Sequence, residues 1–155
     1  MKAERKTQMW EHMRFIRQNE REICREFAEL AGIDSVSFCE RRMADALKEK
    51  LSGLGFEVWE DDAGKCYQGN AGNVYGFLKG DLPGDPVLFS AHMDTVNPGI
   101  GKKAEFHRDG VITSSGETIL GADDVSGLVE ILWGIRSVLE SKRPHRDIEV
   151  LFPIG

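Results

Sequence analysis

Stretches of helical periodicity alternate with short apolar runs along the sequence, and this alternation limits the folds that the chain can adopt. The clearest stripe recurs every three or four residues, at Val125, Leu128, Val129, Leu132, Ile135 and Leu139. The runs "VLFSAH" (87–92) and "DIEVLFPIG" (147–155) lack polar alternation, which is typical of strands covered on both faces. Helices that alternate with such strands predict an α/β layer fold with a largely parallel or mixed sheet.

Further elements follow from the same patterns. Periodicity predicts one amphipathic helix from about Trp10 to Leu30 and a second over residues 41–54. "FEVWE" (56–60) and "NVYGFLKG" (73–80) predict strands, separated by a turn-rich connection. Residues 103–115 predict a polar hairpin that turns at Asp109 and Gly110. A chain of 155 residues, 41% of them hydrophobic, is expected to form one core and not two complete domains.

Composition argues against several classes of partner. The net charge is −6 and the acidic excess lies after residue 50, whereas a nucleic-acid surface needs clustered Lys and Arg. The longest apolar runs are far shorter than the roughly 20 residues of a membrane span, and the charged first residues lack the apolar core of a secretory signal. Three cysteines without a C-x-x-C pair indicate reduced thiols. We therefore expect a cytoplasmic protein that binds neither nucleic acid nor membranes.

Three of the four histidines stand two positions before an aspartate, at His92, His107 and His145. An imidazole is a good metal ligand, and a nearby carboxylate is suited to orient its ring. His107 falls in the polar hairpin and His145 lies among arginines, so both are interpreted as surface histidines. His92 follows an apolar strand, where α/β sheets gather their ligand sites. On the residues alone, a structural histidine and a metal ligand remain equally open there.

The "GADD" segment (121–124) allows two interpretations as well. Asp123 and Asp124 begin the clearest helical stripe, where aspartates cap free amides and complement the helix dipole. Taken alone, this capping role is favoured over metal binding. The sequence contains no G-x-G-x-x-G loop, no G-x-x-x-x-G-K-[ST] loop and no G-x-S-x-G elbow, so nucleotide binding and serine catalysis gain no support.

Two motifs together carry a family resemblance. "SAHMDTVNPG" (90–99) and "LGADDVSGLVEIL" (120–132) resemble the metal-site motifs of the zinc-dependent exopeptidases that include peptidase T, aminoacylases and desuccinylases. The similarity is closest to the peptidase T branch and covers roughly residues 21–155, including "GIDSVSFCERRMADALKEKLSGLGFEVWEDDAG" and "GNAGNVYGFLKG". It implies a three-layer α/β catalytic domain with a mixed sheet, incomplete in this chain. Residues 1–20 are then a helical extension, and the lid or dimerisation domain and the C-terminal part are absent.

The resemblance also assigns roles to residues. It implies that His92 binds one metal, that Asp94 is the catalytic supporting carboxylate that orients His92, and that Asp123 bridges two zinc ions. The peptide bond between Asp123 and Asp124 is expected to be cis, as is typical of the family. No substrate-binding residue is assigned. Val125 stands where peptidase T members usually have lysine, so the local charge is expected to differ from theirs.

The activity implied by the resemblance is hydrolysis of the amino-terminal residue from short peptides at a di-zinc site. Family members follow the strand that resembles "DIEVLFPIG" with a Glu-Glu pair, and this sequence ends at Gly155. The isolated chain is therefore expected to be inactive. Two alternatives remain: a family deacylase or desuccinylase, and a non-catalytic module that self-associates because its apolar terminal strand is unpaired.

Overall fold

The helices of the chain pack around one core. A computed structural model describes residues 2–155, with side chains described from residue 9 onward. The helices are α1 (Lys2–Gln18), α2 (Glu20–Ala31), α3 (Arg41–Gly53) and α4 (Ala122–Glu140), and a short 3₁₀ helix spans Ala63–Tyr67. Among the described residues, no helix combines the length and apolar composition required to cross a bilayer.

Six strands form a mixed sheet and a separate hairpin. The strands are β1 (Glu57–Glu60), β2 (Val74–Leu78), β3 (Val87–Ser90), β4 (Ala104–Phe106), β5 (Ile112–Ser114) and β6 (Ile148–Phe152). The sheet has the order β1-β2-β6-β3, in which only the β3–β6 pair is parallel. β4 and β5 form the predicted hairpin. The predicted α/β class and mixed sheet are confirmed.

The helices cover one face of this sheet. Ile148, Val150 and Phe152 alternate along β6 and are buried in the core. On the same face, a Cβ atom placed on Gly76 of β2 would lie 3.2 Å from Leu51 of α3. The opposite face carries Trp59 and Tyr75, whose rings stack with centroids 5.5 Å apart, and Trp59 remains 49% exposed. The described residues thus form two of the three expected layers.

The prediction that "VLFSAH" is covered on both faces is wrong. β3 pairs only with β6 and forms an edge of the sheet, with Leu88 56% and Phe89 39% exposed. An apolar cavity of about 510 Å³ separates β3 from part of α4 and is lined by residues that include Val87, Phe89 and Ile131. Missing alternation shows that a strand has apolar side chains on both faces, but burial depends on what packs against them.

The terminal strand is also placed differently from the expectation. β6 was expected to be unpaired, yet it lies in the middle of the sheet, antiparallel to β2 and parallel to β3. A non-local pairing of this kind leaves no mark in the local sequence. The open edges of the sheet are β1 and β3, so self-association through an unpaired β6 is ruled out.

The single helix expected from about Trp10 to Leu30 is two helices. They meet at Asn19, whose side-chain amide donates to the carbonyl oxygen of Phe15 at 2.8 Å. Asparagine competes with helical hydrogen bonds in this way, which favours helix ends. Both helices nevertheless rest on α4, where the ring of Phe15 lies 6.0 Å from that of Trp133.

A charge cluster joins three helices. Glu26 of α2 is buried and pairs with Arg136 of α4 and, at 3.0 Å, with Lys50 of α3. Burial alone raises the pKa of Glu26, but the hydrogen bonds from Arg136 and Lys50 outweigh it and the pKa is lowered. Arg136 also lies over the ring of Trp133, 4.7 Å from its centroid. Removing either cation would leave a buried carboxylate short of partners.

A second cluster ties β1 to α3. The carboxylate of Glu60 accepts two hydrogen bonds from Arg41, at 2.7 and 2.8 Å, and one from Lys48 at 2.7 Å. The backbone N–H of Gly72 also donates to it. The Arg41 hydrogen bonds oppose the effect of burial and, with the other donors, lower the pKa of Glu60 from 4.5 to about 2.

We expect Glu60→Gln to destabilise the chain by about 1 to 2 kcal/mol at pH 7, since the cations that it leaves unpaired are partly solvated. Because the folded pKa lies below the unfolded value, this contribution is complete above pH 4.5 and is lost as the pH falls towards about 2. Urea unfolding at several pH values measures it. Glu57→Gln, on the exposed part of β1, is the matched control and is expected to have little effect. An equal loss in both variants at pH 7 would contradict this account.

Candidate metal centre

The parallel pairing of β3 with β6 continues beyond both strands. The backbone N–H of Met93 donates to the carbonyl oxygen of Pro153 at 2.9 Å. Met93 is fully buried, and its neighbours His92 and Asp94 therefore follow the carboxyl end of β3 in a fixed extended segment. Ligand sites of α/β folds gather at such strand ends.

The Asp94 carboxylate fixes the ring of His92. Nδ1 of His92 lies 2.9 Å from Oδ1 of Asp94 and 3.0 Å from the carbonyl oxygen of the same residue. Both neighbours are acceptors, so Nδ1 carries a proton and donates. Asp94 itself is 8% exposed. In the neutral ring this leaves the lone pair on Nε2, the tautomer needed for binding a metal through that atom.

The two aspartates of "GADD" have different surroundings. The carboxylate of Asp124 accepts the N–H of Gly127 at 3.1 Å, three residues further along, which is a helix-capping contact. The Asp123 side chain is 97% exposed. The peptide bond between them is cis, the geometry that the resemblance implies. Capping and ligand binding are thus compatible, because a different aspartate is available for each.

His92 and Asp123 meet across 31 residues of sequence. Nε2 of His92 lies 3.1 Å from Oδ1 of Asp123. Burial lowers the pKa of His92, but the hydrogen bond with Asp123 and the charge of Asp94 outweigh it, so the pKa is raised above 6.5. The structure brings together the four residues to which the family resemblance assigns roles: His92, Asp94, Asp123 and Asp124.

Sequence reasoning missed Ser37. Its hydroxyl donates to Oδ2 of Asp94 at 2.6 Å, from a loop 57 positions earlier in the chain. The surrounding segment "GIDSVSFCE" contributed to the resemblance without a role for any of its members. Nothing in local spacing marks such a long-range contact.

Lys102 was missed as well. It is buried, and its ammonium group donates to the carbonyl oxygens of Ile33 (2.8 Å) and Gly99 (3.0 Å) and to the Thr95 hydroxyl (3.2 Å). Burial lowers its pKa, only partly opposed by Asp34. These contacts hold the segment that follows Asp94.

Val125, at the position of the usual family lysine, is buried in the core and brings no charge to the site. Lys102 lies close to the start of α4 instead, since a Cβ atom placed on Gly121 would be 3.0 Å from its Cε. Val125 thus removes a positive charge that the family usually has at this position, while the buried Lys102 places a positive charge on the neighbouring loop.

The other two His-x-Asp triplets lie elsewhere. His107 is exposed in the hairpin, where Nε2 lies 2.7 Å from the Thr113 hydroxyl. His145 contacts the carbonyl oxygen of Arg146 at 2.8 Å, at the start of the segment that leads to β6. Among the described residues, neither is paired with a carboxylate as His92 is with Asp123, and their interpretation as surface histidines stays a prediction.

His92 and Asp123 fit a divalent metal in kind, since an imidazole nitrogen and an accessible carboxylate are both zinc ligands. They do not fit it in number. Among the side chains of residues 9–155, no group of three or more His, Cys, Asp or Glu residues is arranged to hold an ion. A catalytic zinc usually has three protein ligands. The described residues therefore offer part of a metal site.

The capping carboxylate of Asp124 occupies the space that a side chain at position 127 would need. A Cβ atom there would lie 2.3 Å from Oδ1 of Asp124, whereas one on Gly134, in the same helix, would meet nothing within 4 Å. We expect Gly127→Ala to destabilise the chain by about 1 to 2 kcal/mol, the overpacking cost less the helix-propensity gain. Gly134→Ala is expected to be neutral or stabilising by up to about 1 kcal/mol. Urea unfolding tests this, and equal stability of the two variants would refute it.

Comparison with known proteins gives the family. No model of a known protein family matches the chain. An uncharacterised Bacillus subtilis protein, YqjE, is 39% identical over 137 residues, which are 88% of this chain and 37% of that protein. Crystal structures of a Staphylococcus aureus tripeptidase (36% identity, TM-score 0.84) and of the Bacillus cereus aminopeptidase PepT (40% identity, TM-score 0.83) match as well.

Each of these structural matches covers 88% of this chain and 37% of the other chain. The chain thus spans little more than a third of the length of these three relatives. Proteins named peptidase T are also among the relatives. The chain belongs to the peptidase T and tripeptidase group of metal-dependent peptidases and corresponds to the N-terminal part of its members.

Proposed function

We propose that residues 21–155 supply part of the zinc site of an aminopeptidase that removes the amino-terminal residue from short peptides. The contact between Nε2 of His92 and Oδ1 of Asp123, at 3.1 Å, carries this proposal. It joins the two motifs of the resemblance in space, at the carboxyl end of β3 and the start of α4. The names of the relatives, a tripeptidase and an aminopeptidase, support the substrate class.

Each residue of the site has a physical role in this proposal. His92 presents Nε2 as a ligand because its Nδ1–H donates to Asp94. Asp94 acts through His92 by holding its ring and tautomer. Asp123 offers an exposed carboxylate, and Asp124 holds the start of the helix that carries it. A zinc ion held by these residues would polarise a carbonyl group and lower the pKa of the water that it binds.

The chain alone is proposed to be inactive. His92 and Asp123, the two proposed ligands, are one fewer than the three that a catalytic zinc usually takes from protein. We propose that an active enzyme takes its remaining metal ligands, and the group that accepts a proton from water, from the regions of the relatives that this chain does not match.

We also propose that residues 1–20 extend the catalytic domain. In support, α1 packs on α4 through Phe15 and Trp133, and Nδ1 of His12 lies 2.6 Å from the Ser137 hydroxyl. These contacts lie on α4 beyond the segment that carries Asp123 and Asp124, so α1 is proposed to stabilise the domain without contacting the site.

Location and association are proposed on surface features. The free thiols Cys24, Cys39 and Cys66 support a reducing, cytoplasmic environment. The open β3 edge, with Leu88 and Phe89 exposed, supports association through that edge in place of β6.

A chimera tests the activity. This chain replaces the matching segment of the Bacillus cereus aminopeptidase PepT. Release of the first residue from tripeptides and release of the acyl group from acylated amino acids are both measured with zinc. We expect tripeptide hydrolysis. His92→Ala in the chimera is expected to lower kcat/KM by more than about 100-fold, because loss of a ligand exceeds the effect of losing a supporting residue.

His107→Ala is the matched control for the chimera, since His107 has the same His-x-Asp context without a carboxylate contact. It is expected to retain activity. Hydrolysis of acylated amino acids alone would favour the deacylase alternative, and equal activity of the two histidine variants would overturn the role of His92.

A further inference from the structure

We infer that Ser37 is a positioning residue of the metal centre, which fixes the Asp94 carboxylate and, through it, the ring of His92. This inference rests on the proposed role of His92 as a metal ligand. The loop that contains Ser37 would then have a role in the geometry of the metal centre.

The two oxygens of the Asp94 carboxylate have different partners. Oδ1 lies 2.9 Å from Nδ1 of His92, and Oδ2 accepts the Ser37 hydroxyl at 2.6 Å. The terminal torsion of aspartate is broad, so one hydrogen bond alone leaves the carboxylate free to rotate. With both oxygens engaged, its plane is set, and the direction of its bond to His92 is set with it.

Ser37 is itself held in place by its neighbours in the loop. The backbone N–H of Thr95 donates to the carbonyl oxygen of Ser35 at 2.8 Å, and Val36 forms a parallel bridge with Thr95. The loop therefore runs beside the segment that contains Asp94. The hydroxyl is supplied from backbone that is fixed relative to its acceptor.

Glu40 connects this loop to the segment that follows β6. Glu40 is fully buried, and its Oε1 accepts the N–H of Phe38 at 2.7 Å and that of Gly155 at 3.1 Å. Residues on both sides of Ser37 are thus tied down, to the segment after β3 on one side and to the segment after β6 on the other.

Burial makes the contact energetically important. Asp94 is 8% exposed, so little water is available to replace the Ser37 hydroxyl if it is removed. The carboxylate is then expected to turn towards another donor, which weakens its hold on Nδ1 of His92. The contacts form a series from the Ser37 hydroxyl through the Asp94 carboxylate and the His92 ring to the Asp123 carboxylate.

The test compares Ser37→Ala, Ser37→Thr and Ser35→Ala in the full 155-residue chain. Ser37→Thr keeps a hydroxyl at the same position. Ser35→Ala is the matched control, because it is the same substitution two residues away at a buried hydroxyl that has no hydrogen-bond partner. The amide spectrum and thermal unfolding of each variant establish that it is folded.

The primary measurement needs no metal. NMR detects the Nδ1–H proton of His92, which is protected from exchange when Asp94 holds it. We expect at least a several-fold faster exchange in Ser37→Ala, and rates close to those of the parent chain in Ser37→Thr and Ser35→Ala. An unchanged rate in a folded Ser37→Ala variant, or equal acceleration in Ser35→Ala, would overturn the inference.

Zinc titration by calorimetry is the second measurement. Loss of a supporting partner typically weakens metal binding 10- to 100-fold. Ser37 acts one contact further out, so we expect about a 3- to 10-fold higher Kd in Ser37→Ala. Zinc binding by the parent with no change in Ser37→Ala would contradict the inference. Altered exchange in a chain that binds no zinc would uphold the role of Ser37 in holding Asp94 and His92 and would contradict zinc binding by this chain alone.

Discussion

The parallel pairing of β3 with β6 is the constraint on which the site depends. It places the carboxyl ends of two strands side by side, and the Met93–Pro153 hydrogen bond extends it past the strands. His92 and Asp94 then leave the sheet at the edge where the chain returns to begin α4. α4 packs against β3 and brings Asp123 to 3.1 Å from His92, although the two residues are 31 positions apart in sequence.

Stability and the geometry of the site depend on different contacts. The charge clusters around Glu26 and Glu60 join helices to each other and to β1. The site is held by backbone contacts, by the buried Lys102 ammonium group and by the loop that carries Ser37. A helix that is polar at its first turn thus serves two purposes, because Asp124 stabilises α4 while Asp123 remains accessible.

Much of this architecture is predictable from sequence because periodicity is local. The apolar stripe from Val125 to Leu139 predicts the helix α4, and the turn residues Asp109 and Gly110 predict the hairpin of β4 and β5. The choice of His92 over His107 and His145 needed the paired motifs, since all three triplets have the same spacing. The exposure of β3, the central place of β6 and the role of Ser37 depend on contacts between distant segments, and local pattern contains no signal for them. The break at Asn19 was visible in principle, since asparagine favours helix ends.

The central claim is that one fixed geometry makes His92 and Asp123 part of a metal site. Zinc titration by calorimetry of the 155-residue chain, compared with its His92→Ala and His107→Ala variants, tests it most directly. The account predicts weak binding that is lost in His92→Ala and retained in His107→Ala. Binding that is unchanged by His92→Ala would contradict it.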